Sequence, residues 1–158
     1  MKLVKNVVKT DVDWLHKISE PVDLSSNETV RHLTDILLLA YKQLDGKCQG
    51  ISAIQVGSPA QAILLRYVKG GEPIVIFNPK VNIKLGSKKS NEGCLSEGNT
   101  RYIVKRPLLI KVEYYLADGR HIVEWLPFKK ARIFMHEYDH LFGVLLQDKG
   151  KKVEVVNK

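Results

Sequence analysis

The segment His136-Glu137-Tyr138-Asp139-His140 constrains this chain more than any other part of it. It sets two histidines four residues apart with a glutamate between them. On an α-helix such positions share one face, with Cβ atoms about 6 Å apart, so both imidazoles can reach one metal ion. Glu137 then projects close enough to hold a water molecule without being a ligand itself. A metal with an open position lowers the pKa of bound water to about 7 and makes a nucleophile available at neutral pH. Metal-assisted hydrolysis is therefore the leading reading. The alternative is an accidental match on a polar helix face.

A catalytic site of this kind takes a third protein ligand. The segment continues to Gly143 as a longer protease motif would, but that motif ends on histidine where this chain has Leu146, so the protease class is disfavoured. Downstream, Asp148 and Glu154 lie in a tail too short to fold back easily. Upstream, His16, His32 and His121 each stand alone, and a lone histidine is more often a surface or core residue than a ligand. Cys94, in Glu92-Gly93-Cys94-Leu95-Ser96, is one of two cysteines. By itself it reads as a small buried hydrophobe. Beside a site that lacks a thiolate-compatible ligand it becomes the favoured third donor.

The rest of the chain predicts an α+β fold, with mixed or antiparallel strands packed around the metal-binding helix. Ser25-Ser26-Asn27-Glu28 reads as a capping box. Val30, Leu33, Leu37, Ala40, Tyr41 and Leu44 then recur at helical spacing, which predicts a helix over 26–44 ended near Gly46. Strands are predicted over 62–67, 73–78, 108–115 and 121–125, with Ala117-Asp118-Gly119 as a hairpin turn. A helix over 128–142 carries the histidines, with Gly143 or Gly150 near its end, and 152–156 reads as a short final strand. At 158 residues, 44% hydrophobic and 27% charged, the chain fits one soluble globular domain, 1–158. No apolar run approaches the length of a membrane span, and the charged start excludes an ordinary secretory signal. Two cysteines, one a candidate ligand, suit a reducing cytoplasm. The formal charge of +8 is compatible with an anionic partner such as the ribosome and equally with general solubility. Lysines spread without interleaved aromatic residues give no sign of specific nucleic-acid recognition.

Three segments together resemble the peptide deformylase family. Glu92-Gly93-Cys94-Leu95-Ser96 is similar to its E-G-C-L-S motif, and His136 to Leu141 to its H-E-x-D-H-L motif. Cys48-Gln49-Gly50-Ile51-Ser52-Ala53-Ile54-Gln55 is similar to its glycine-rich motif ending in glutamine. The order and spacing agree, and the resemblance covers essentially the whole chain. It implies removal of the N-formyl group, usually from formyl-methionine, at the start of nascent polypeptides, with release of formate. Cys94, His136 and His140 would hold one divalent metal: iron(II), zinc, nickel or cobalt. Glu137 would act as general base and then acid. The Gln55 amide and the Leu95 backbone N–H would stabilise the oxyanion. Gly50, Gln49, Glu92, Gly93, Arg101 and Ile133 are the expected peptide-facing set. Gly50 would offer backbone groups to an extended peptide. Arg101 and Arg106 read as charges facing the peptide or supporting the site, with Glu92 a candidate partner, or as surface arginines.

The chain also departs from the family. Cys48 replaces a glycine, Ser52 an alanine, and Glu97-Gly98 stands where a proline is usual. Gln49, Lys129 and Arg132 stand where the methionine pocket is usually apolar, which predicts a more polar pocket unless the long side chains bend to water. Two further readings follow: a deformylase of altered side-chain specificity, and a catalytically weak peptide-binding relative.

Overall fold

The computed structural model describes residues 7–154. Among them are four α-helices: α1 Val12–Leu15, α2 Asn27–Gln43, α3 Phe128–Leu141 and α4 Leu146–Lys149. The strands are β1 Gly50–Ser52, β2 Ala62–Leu65, β3 Ile74–Leu85, β4 Lys88–Gly93, β5 Arg101–Arg106, β6 Leu109–Leu116, β7 His121–Pro127 and β8 Lys151–Lys152. Short 3-10 turns follow β1, at Ala53–Val56, and β4, at Leu95–Glu97. One sheet runs in the order β1-β2-β3-β6-β7 and a smaller one in the order β4-β5-β8. Every ladder is antiparallel. The only parallel pairing among the described residues is the single bridge between Glu20 and Ala60.

Strand β2 explains how the helix is kept central. Its four residues are all buried, and alternate side chains point to opposite faces. Ala62 and Leu64 join α2 and Phe77 in one core. Ile63 and Leu65 join Ile76, Phe134, Met135 and Leu141 of the α3 side in another. The β1–β3 end of the sheet is thus covered on both faces, α2 on one and α3 on the other. Helix α2 buries Val30, Leu33, Leu37 and Ala40, the stripe its spacing predicts.

Several boundaries differ from the sequence-based expectations. The capping box at Ser25 does not form. Ser26 is the N-cap and accepts from the Thr29 amide, while Ser25 bonds Asp23. Strand β3 does not stop at Asn78. Asn78 takes a left-handed φ of 49° ahead of Pro79, and the register with β6 shifts there. The strand bulges and continues, because Pro79 removes one donor without ending the pairing. The Asn78 amide also grips Val22, accepting from its N–H at 2.8 Å and donating to its carbonyl at 2.9 Å. The final strand is shorter than expected, pairing at Lys151–Lys152 with β5; Val155 and Val156 fall outside the described residues. Gly143, with φ 69°, follows the C-cap of α3, whereas Gly150 follows α4. Strands β1, β4 and β5 and helices α1 and α4 carry weak local signals. Only Tyr102-Ile103-Val104 in β5 shows the apolar, β-branched composition that marks a strand.

Candidate metal centre

From Ala131 to Leu141 helix α3 has no exposed residue. Ala131, Phe134 and Leu141 have no exposed area, and Glu137 and His140 have 4% and 2%. Packing on several sides fixes the rotamers of the polar residues. The rings of His136 and His140 lie edge-to-face with centroids 5.3 Å apart. Cys94 comes from the end of the β4–β5 hairpin and sits in a third apolar cluster with Val104 and Leu146. Its Sγ is 3.5 Å from His140 Nε2. One donor atom from each of Cys94, His136 and His140 lies within 4.8 Å of the others. The three expected ligands therefore converge, and no other such group of histidine, cysteine and carboxylate donors occurs among the described residues. His16 instead bonds Asp148, and His121 stacks on Tyr115 in the β6–β7 hairpin.

The surrounding contacts suit a metal. His136 Nδ1 is 3.0 Å from Glu92 Oε1, which turns Nε2 toward the donor set. Glu92 accepts from Nε and Nη2 of Arg106, each at 2.9 Å, and Nη1 donates to Asp139. Burial opposes ionisation of Glu92, but bonds from His136 and Arg106 and the guanidinium charge outweigh it and hold the carboxyl at about 2. Burial pushes His140 well below the ordinary histidine range, aided by the charges of His136 and Arg106, which favours the neutral imidazole that binds metals. Burial also disfavours charge on His136, but contacts with Cys94 and Glu92 outweigh it and raise its affinity for a proton. A metal ion would take that proton's place.

Glu137 and Gly50 meet at the same cavity, of about 380 Å³. Burial pushes the Glu137 carboxyl up to about 7, against the pull of positive charge at His136 and Arg106. Its Oε2 is buried without a partner among the described residues. An uncompensated oxygen of that kind suits a group that exchanges a proton with a bound molecule. Gln55 is fixed by its own turn: Oε1 accepts from the Ser52 N–H at 3.0 Å and the Ser52 hydroxyl at 3.1 Å. Its amide nitrogen then points to Ser96 Oγ at 3.0 Å and Cys94 Sγ at 3.6 Å. Ser52, a departure from the family motif, thus orients Gln55. Ser96 is a site residue that the sequence reading passes over; its place in E-G-C-L-S is the signal for it.

The cavity is lined by Gln49, Gly50, Glu92, Gly93, Leu95, Arg101, Arg132 and Ile133, together with Cys94, His136 and Glu137. The expected peptide-facing set is therefore gathered there. Of the two arginines offered to Glu92, Arg106 is the partner, and Arg101 instead bonds Asn91 through side chain and carbonyl. One expectation is corrected. Lys129 does not line this cavity but a neighbouring one, because it lies a helical turn before Arg132 at the exposed start of α3. Arg132 stays, donating to Gln49 Oε1 at 3.3 Å.

Comparison with known proteins identifies relatives of the whole chain. The family model described as polypeptide deformylase matches residues 4–155. A peptide deformylase of Rhizobium meliloti is 34% identical over 145 residues, 89% of this chain and 81% of that protein. The crystal structure of peptide deformylase from Thermotoga maritima superposes with a TM-score of 0.80 at 28% identity, covering 90% of this chain and 95% of that one. A probable peptide deformylase from Synechococcus phage S-SSM7 gives a TM-score of 0.81 at 31% identity, with 90% and 97% covered.

Proposed function

The chain belongs to the polypeptide deformylase family, and from that premise we propose that it hydrolyses the formamide at the start of N-formylated nascent polypeptides, releasing formate, through the residues gathered at Cys94. The observation that carries the reading is the convergence of Cys94, His136 and His140 beside a buried, partnerless Glu137 oxygen. Metal-dependent hydrolysis follows from the family, and the whole chain is taken as one catalytic domain. The donor set suits iron(II), which we propose as the native metal; zinc, nickel and cobalt fit the same ligands. When bound, the metal supplies a Lewis acid and makes a water molecule nucleophilic at neutral pH.

Each residue has a distinct task in this proposal. Glu137 accepts the proton of the attacking water and returns it to the departing amine. A carboxyl poised at about 7 can do both near neutral pH. The Gln55 amide and the Leu95 N–H stabilise the developing oxyanion. The Ser52 bonds fix the oxygen end of the Gln55 amide, and its nitrogen turns from Cys94 Sγ or Ser96 Oγ to the oxyanion as charge develops. Strand β1 lies at the edge of its sheet, which leaves Gly50 free to pair with an extended peptide. Glu92 orients His136, and Arg106 keeps Glu92 ionised. We place the reaction in the cytoplasm. No helix among the described residues is long and apolar enough to cross a membrane. The net charge of +8 favours encounter with an anionic particle such as the ribosome.

The test is formate release from a formyl-methionyl peptide, followed with metal content before chelation, after it and after metal is restored. Loss and recovery of turnover in step with one metal per chain is expected. A non-catalytic peptide-binding protein would hold the metal and release no formate.

A further inference from the structure

A second cavity, of about 460 Å³, adjoins the first, and Arg132 lines both. Its wall carries Lys88 and Lys89 from β4 and Lys129 and Arg132 from α3, with Ser90 and Phe128 between them. No carboxylate among the described residues lines it. Arg106 also reaches it, but that guanidinium is committed to Glu92 and Asp139. None of the other four cations has a carboxylate partner among the described residues. Phe128 is 71% exposed and has a left-handed φ of 49°. That backbone conformation is costly for an aromatic residue and tends to occur where a site requires it. Cationic residues on a concave wall, Lys129 and Arg132 from α3 and one of the consecutive pair Lys88 and Lys89 from β4, raise the local concentration of anions, and an aromatic rim with a serine hydroxyl suits a short apolar stem ending in an acceptor.

We propose that this cavity is a substrate subsite for a carboxylate, carried on a side chain within the first two residues of the formylated peptide. The inference rests on the deformylase reading of the neighbouring centre. Its link to that centre is Arg132, which precedes the candidate ligand His136 by one helical turn on the same face. A side chain of a molecule held at the metal centre would pass Arg132 to reach the second cavity. A free C-terminal carboxylate on a short peptide shares the same chemistry, and amidated peptides separate the two sources.

The experiment compares kcat/KM of the metal-loaded protein on amidated formyl peptides that differ only in Glu against Gln, at the first residue and at the second. Formyl-methionyl-glutaminyl peptide is the neutral reference. A preference of about fivefold or more for Glu at one of the two positions is expected. The Glu/Gln ratio should fall toward one in about 0.5 M NaCl, where the screening length shrinks to roughly 4 Å. It should fall likewise in Lys88→Gln/Lys89→Gln/Lys129→Gln and, in part, in Lys129→Gln alone. Because the readout is a ratio within each enzyme, a general loss of activity does not mimic it. Equal rates for Glu and Gln peptides would overturn the subsite. So would a preference that survives the triple substitution, or one seen only with non-amidated peptides. No formate from any peptide, the neutral reference included, would instead overturn the deformylase reading itself.

Discussion

Gly50 and Glu137 are so close that a methyl group on Gly50 would lie 2.5 Å from Glu137 Cγ and 2.7 Å from its Oε1. The φ of Gly50 is not in the left-handed region, so its requirement is space rather than backbone freedom. The edge strand that would receive the peptide and the proposed proton carrier are therefore packed as one unit, and neither can shift alone.

Gly50→Ala should accordingly act through Glu137. We expect a loss of about 100-fold in kcat, the effect of displacing a catalytic group by about an ångström, with metal content retained. Glu137→Gln should lose at least ~100-fold by removing the proton acceptor, again with metal in place. The double variant should be little worse than either single one. Losses that multiply would show that the two residues act separately.

Arg106→Met should destabilise the protein by about 3–5 kcal/mol, because it leaves the buried Glu92 and Asp139 carboxylates without their shared cation. Metal affinity should also fall, by about 10–100-fold, as Glu92 ceases to orient His136. Adding Glu92→Gln should recover part of the stability but none of the affinity. A urea-unfolding loss under about 1 kcal/mol, the range of an exposed pair, would show that the guanidinium is not compensating buried charge.

Glu97 ties the cysteine loop to the C-terminal segment. Its two carboxylate oxygens accept from the Leu146 and Gln147 amides, each at 3.0 Å, at the start of α4. Glu97→Ala should therefore speed metal loss by about tenfold, the low end for a partner that orients a ligand. Glu97→Gln, which keeps one accepting oxygen, should lie between. Dissociation into a chelator measures this, and identical rates for all three proteins would remove Glu97 from the site.

Tyr67 provides a pH test away from the metal. Its hydroxyl is buried without a partner among the described residues. Burial, then Tyr114 and Glu124, raise its pKa well above the ordinary tyrosine range. The native state thus holds this proton more tightly than the unfolded chain does. The contribution is complete below about pH 10 and is lost as the pH rises toward the native value. Tyr67→Phe should be more stable by about 1 kcal/mol at neutral pH, since it removes an unsatisfied buried group. Its stability should also fall less steeply above about pH 10 than that of the wild type. Equal slopes in urea midpoints would contradict the shift.

The metal centre was the most legible part of this chain, because its information is local. His136, Glu137 and His140 owe their arrangement to helical period, and the Val30–Ala40 stripe announces α2 for the same reason. Gln55 and Gly50 were legible only as members of known motifs, and Cys94 as the donor that a two-histidine site still lacked. What brings them together is the antiparallel stacking of β1, β2 and β3 under α3 and the return of the β4–β5 hairpin, none of which is written in a short window. Tertiary structure alone decided which arginine meets Glu92, because Arg106 and Arg101 differ in burial rather than in composition. It also decided that Lys129 leaves the metal cavity while Arg132 remains. A position along a helix fixes the direction of a side chain, but only the packing of neighbouring elements fixes which cavity that direction meets.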